Sequence, residues 1–139
     1  MDYRVFKDKI IVRIDRGEEI LSKIKEVAEK EKVTLAEINA LGAVDDFTVG
    51  CYKVDEKKYY PNEFKGCYEI VSLTGTISTM NGEYYSHIHM SAADINGNVV
   101  GGHLNKAIVS VTCEAVITVM DGVVDRKYDE NIGINLFKF

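Results

Sequence analysis

The sequence has a single proline, Pro61, and no apolar run approaching the roughly 18 residues that a membrane-crossing helix needs. Its first residues, Met1 to Lys7, contain no apolar stretch of leader length. Cytoplasmic residence and no membrane partner are the resulting expectations. Cysteine is sparse. Cys51, Cys67 and Cys113 are odd in number, widely spaced and without a C-x-x-C pair, so they read as free thiols in a reducing compartment. A positive balance is also missing, with 17 Lys and Arg against 22 Asp and Glu and a formal net charge of -5. Phosphate binding relies on basic surface, so the surface as a whole does not read as a nucleic-acid binder. No linker, low-complexity segment or internal repeat divides the 139 residues, and residues 1–139 read as one domain. At 46% hydrophobic and 28% charged, the chain is of ordinary globular composition.

What is present is mostly strand pattern. Val5 to Arg13 reads as two short strands around a turn at Lys7-Asp8-Lys9. One helix follows. Asp15 with Glu18 resembles a capping box with Asp15 as the cap, and Ile20, Leu21, Ile24, Val27 and Ala28 recur at helical spacing. Leu35 to Leu41 reads as a short helical turn leading into a strand. The polar stretch Asp55 to Lys65 reads as a loop. Strands are expected at Thr48–Val54, Cys67–Ser78, Tyr84–Asp94, Ile108–Met120 and Ile132–Phe137. Asn81-Gly82 and Asn96-Gly97 are hairpin signals, with Asp94 a turn residue beside the second. The pattern gives an α+β domain with a largely antiparallel sheet. Leu136, Phe137 and Phe139 leave an apolar C-terminal strand, expected to be covered by a neighbouring strand or another subunit.

The three histidines fall in one window. His87 and His89 are two apart, which on a strand points both imidazoles to one face. The turn at Asn96-Gly97 brings His103 back toward them, and Gly101-Gly102 before it permits close backbone approach. Three neutral imidazoles suit zinc or another divalent transition metal, with a position left open for water or substrate. Glu69 and Glu114 are carboxylates in apolar runs and are weaker candidates for a general base or a partner of a ligating histidine.

The same residues carry a resemblance. Tyr68-Glu69-Ile70-Val71-Ser72-Leu73-Thr74-Gly75-Thr76-Ile77 resembles the EILSLxGxI strand of the PPC domain family of plants and prokaryotes. His87-Ile88-His89, then Asp94, Gly97 and Val99-Val100-Gly101-Gly102-His103-Leu104, is similar to the HxH…D…G…vxGGHL segment of its prokaryotic form. The likeness covers nearly the whole chain. It implies a mixed, mostly antiparallel sheet with one long and one short helix, assembled as a homotrimer. It also implies His87, His89 and His103 as ligands of a divalent metal, with zinc the expected ion. Family members are commonly described as DNA-binding. In the plant proteins an AT-hook makes that contact, and this chain has no Arg-Gly-Arg-Pro core to enter a minor groove.

Two functions follow as expectations. One is a stand-alone PPC-type regulatory module with a bound metal, itself as partner and DNA as a further one. The other is a metal-dependent enzyme acting on a small molecule, in which bound water is activated near neutral pH.

Overall fold

The computed structural model describes residues 1–139. Strands β1 (Asp2–Phe6) and β2 (Lys9–Asp15) form the opening hairpin, followed by helix α1 (Ile20–Lys30). Three long strands come next: β3 (Ala36–Lys53), β4 (Lys58–Met80) and, after β5 (Glu83–Ala93), β6 (Val99–Val119). A short hairpin, β7 (Asp125–Asp129) and β8 (Ile134–Lys138), ends the chain.

Alternation decides which side of each strand is buried. In β2, Ile10, Val12 and Ile14 point inward and sit opposite Ile117, Ala115 and Cys113 of β6. Helix α1 lays Ile20, Ile24, Val27 and Ala28 into the same core, so its apolar stripe covers the sheet. Burying each of these isoleucines contributes about 1.5–3 kcal/mol. Burial also pushes the Cys113 thiol up to about 12, with Glu114 adding to the effect, while Cys51 and Cys67 are exposed and all three are free.

Every strand pair is antiparallel, in the order β1-β2-β6-β3-β4-β5, and β5 returns to pair with β6. The sheet expected to be mixed is therefore wholly antiparallel: β2 crosses over through α1 to β3, β6 fills the place between them antiparallel to both, and the remaining connections in the sheet are hairpins. β6 makes this closure possible by its length. One edge follows β3 from His103 to Val119, while the other takes β5 at Val99–His103 and β2 at Thr112–Thr118. The ring β6-β3-β4-β5 leaves no free edge along its closed part, as in a barrel.

Three expectations change. Leu35 to Leu41 forms no helix. Ala36 and Ile38 are buried with Glu37 between them exposed, and the segment pairs with β4 and β6 at once, so tertiary pairing overrides its helix-prone composition. The only other helical element is the single 3-10 turn Val54–Glu56. The loop expected at Asp55–Lys65 is confined to the tip of a long hairpin, and Pro61 lies opposite Gly50 in β4. β4 pairs on its other edge only from Glu69 onward, so a proline here interrupts no second ladder.

The helix start also differs. Asp15 is the last residue of β2 and its N–H donates to Glu18, one half of a capping box. Glu19 is the actual cap. Its carboxylate accepts from the N–H of Leu21 (3.1 Å) and Ser22 (2.7 Å), and also from Ala107 N–H on β6 (3.1 Å). One side chain thus closes the helix and ties it to the sheet. Glu19→Ala is expected to cost about 1–2 kcal/mol, at the upper end for a cap, read as a lower melting temperature.

The C-terminal hairpin is a separate two-stranded sheet. β8 is covered by β7 on one edge, but Phe139 is fully exposed. Arg126 of β7 is 5% exposed and anchors the hairpin to the main sheet.

Candidate metal centre

β5 alternates Ile88 and Met90, each 2% exposed, with His87 and His89 on the opposite face. The strand's own period therefore separates the core from the histidines. His89 lies directly across from His103 of β6 in the antiparallel register. The ring centroids stand 5.1, 5.2 and 5.5 Å apart for His87–His89, His87–His103 and His89–His103. The Nε2 atoms of His87 and His89 are 3.2 Å apart, and the three residues offer ligand atoms all within 4.8 Å of one another.

Glycines let the strands carrying these rings approach. A Cβ on Gly102 would stand 2.5 Å from the Gly50 carbonyl oxygen of β3. A Cβ on Gly75 would stand 2.3 Å from the His87 carbonyl oxygen. Tyr59 supports the third ligand, its hydroxyl 3.1 Å from the His103 carbonyl and also within reach of the Asn105 side chain.

His87 and His89 are exposed and His103 is half-buried. The His87 ring nevertheless loses hydration on its inner side. That loss, the nearby His103 and His89 imidazoles and the Arg126 charge together push its pKa down to about 4. His103 is lowered too, by burial first and then by His89. Both rings are neutral at pH 7, the form that binds metal. Tetrahedral zinc with nitrogen ligands at about 2.0–2.1 Å places neighbouring nitrogens roughly 3.3 Å apart. The His87–His89 separation fits that edge, and the all-imidazole donor set fits zinc, copper, nickel or iron better than calcium or magnesium.

The carboxylates lie elsewhere in the chain. Glu69 is opposite Ala93, four residues along β5 from His89, or about 13 Å. It lines a separate cleft with Asp94, Ile95 and Val111. Glu114 is exposed on β6, between Arg13 and Leu41, eleven residues beyond His103. Neither reaches the histidines within one chain. The residues that do surround them include two that sequence reasoning did not select, Tyr59 and Arg126. Only the fold brings them there.

The sequence model of the Plants and Prokaryotes Conserved (PCC) domain matches residues 1–121. This chain belongs to the PCC domain family. Solved structures similar to this PCC-domain chain share its architecture almost end to end. A metal-containing protein from Archaeoglobus fulgidus is 32% identical, with a TM-score of 0.89 over 99% of this chain and 97% of that one. A plant- and prokaryote-conserved protein from Pyrococcus horikoshii is 29% identical, with a TM-score of 0.83 over 96% and 93%. A proposed DNA-binding protein from Bacteroides thetaiotaomicron is 28% identical, with a TM-score of 0.97 over 99% and 96%. No curated protein matches the chain. No helix of this PCC-domain chain is long and apolar enough to cross a membrane.

Proposed function

We propose that this chain is a metal-binding PCC-domain protein in which His87, His89 and His103 hold one divalent transition metal, zinc being the best fit. The observation that carries this reading is the convergence of three imidazoles, two with Nε2 atoms 3.2 Å apart, on one outward face. The metal content named for the Archaeoglobus relative supports it. The chain works as a homotrimer. Bulges interrupt β3 and β4 beside each other, and the β3–β6 register shifts nearby. These irregular stretches carry the exposed apolar residues Leu41 (59%), Val71 (59%) and Val111 (68%), a surface suited to burial between copies.

A second reading, a metal-dependent enzyme acting on a small molecule, is favoured by the exposure of His87 and His89. Three protein ligands on an open face leave room for a metal to bind water and lower its pKa. The DNA-binding role proposed for the Bacteroides relative has less support in this chain, whose net charge is -5. Association through phosphates would show as affinity falling steeply with salt.

The test is metal content by mass spectrometry on tag-free protein, with light scattering on the same sample. The expected result is about one transition-metal ion per chain, as for a single three-histidine site, and the mass of three chains. Protein that remains metal-free after exposure to zinc overturns the metal reading. A monomer mass overturns the trimer.

A further inference from the structure

Arg126 is a buried cation without a counterion. It is 5% exposed, and no carboxylate lies within ion-pair distance of it. Its neighbour Asp125 is turned to the Thr79 hydroxyl (2.9 Å). The guanidinium lies between two aromatic rings, 4.6 Å from the Tyr85 centroid and 4.2 Å from that of Phe137. Its Nε donates to Ser78 Oγ (2.9 Å) and its Nη1 to the Asn135 carbonyl (3.1 Å). Those bonds use two of five N–H donors. Nη2 has no protein acceptor. It is also absent from the atoms sealed away without a partner, which are Tyr84 Oη and Thr112 Oγ1, so it opens to solvent.

The position of this cation gives it meaning. Tyr85, against which it stacks, shares one face of β5 with His87 and His89. Tyr85 and His87 are two residues apart, about 7 Å along the strand. A desolvated guanidinium with Nη2 still free to donate is suited to a carboxylate, which it grips more strongly there than in water.

We propose that Arg126 and the three-histidine centre form one binding site for a small carboxylate-bearing molecule, with the carboxylate on the Arg126 guanidinium and a second oxygen at the metal. The inference rests on the metal reading given above. It assigns a ligand class to that site: compact anions with two oxygen functions a few ångströms apart. Tyr85 and Phe137 fix the plane of the guanidinium and so the angle at which the anion enters. Arg126 is carried by the β7–β8 hairpin, which lies beyond the residues matched by the family.

The probe is succinate, with uncharged succinamide as its control, titrated calorimetrically into zinc-loaded protein. Wild type is expected to bind succinate at least tenfold more tightly than succinamide. Arg126→Gln is expected to lose that preference while retaining its zinc stoichiometry. Because Arg126 also anchors the hairpin, Arg126→Lys serves as a second variant that keeps the charge but loses the planar fork, with an expected loss of several-fold. Circular dichroism confirms that each variant is folded. Equal succinate affinity in folded wild type, Arg126→Gln and Arg126→Lys overturns the proposal and leaves Arg126 a structural anchor. No succinate binding by zinc-loaded wild type also overturns it, with the metal centre standing. If wild type takes up no zinc, the metal reading fails, and the same titration on metal-free protein decides the anion site. Arg126-dependent binding would keep the guanidinium half, and no binding would end both.

Discussion

His89→Ala is expected to abolish stabilisation by zinc while leaving the metal-free fold intact. His89 is exposed and directed away from the core, so truncating it removes no buried contact and shifts metal-free stability by only about 0.5 kcal/mol. Metal that binds the native state alone stabilises it by about 4.1 kcal/mol when present at a thousand times its dissociation constant. For a domain of this size that corresponds to a rise in melting temperature on the order of 10 °C. His89 shares a strand face with His87 and lies directly opposite His103. Its removal leaves two ligands, and the rise should vanish. Thermal melts of wild type and variant with and without zinc chloride measure this. A variant that still gains several degrees would place the metal elsewhere. A variant that unfolds without metal would make His89 part of the fold.

Gly75→Ala should damage the fold and the site together. Gly75 of β4 lies between Thr74 and Thr76, the residues opposite His89 and His87. An added Cβ would stand 2.3 Å from the His87 carbonyl oxygen and 2.7 Å from the Ile88 Cα. Both are backbone atoms of β5, which is paired with β4 at this point and with β6 from His89 onward, so neither can swing away as a side-chain end would. Strand β5 must shift, and with it two of the three imidazoles. The expected cost is about 3 kcal/mol, at the upper end for overpacking, seen as a lower urea midpoint. Zinc affinity should fall in parallel. An unchanged midpoint with unchanged affinity would show that β5 accommodates the methyl group, contrary to the close contact.

The histidine cluster was legible in the sequence because its geometry is local. An H-x-H pair in a strand fixes one face, and Asn96-Gly97 fixes the return of the chain. Asp94 stabilises that turn by accepting from the N–H groups of Asn96 and Asn98. The opening hairpin, the helix and the two turns were legible for the same reason. Leu35 to Leu41 was not, since its helix-prone residues are held extended by partners on two distant strands. Glu114 drew attention as a carboxylate among apolar residues. It is simply the outward member of an alternating strand, between buried Cys113 and Ala115. Arg126 was invisible because nothing nearby in sequence marks it. Its partners Ser78 and Tyr85 lie more than forty positions earlier, and only the crossing of β7 over β4 unites them.

The hairpin that carries the ligands also bears on the order of events during folding. His89 and His103 are joined by one tight turn, and their pairing needs neither the opening helix nor the long β3–β4 arm. The entropy lost in closing such a short loop is small, and each doubling of loop length would add only about 0.6 kcal/mol. The metal ligands can therefore meet before the barrel closes. An ion captured at that stage would pin the register of β5 against β6, the pairing that completes the ring. Metal supply would then govern the rate at which the chain reaches its native topology as well as the stability of the finished protein.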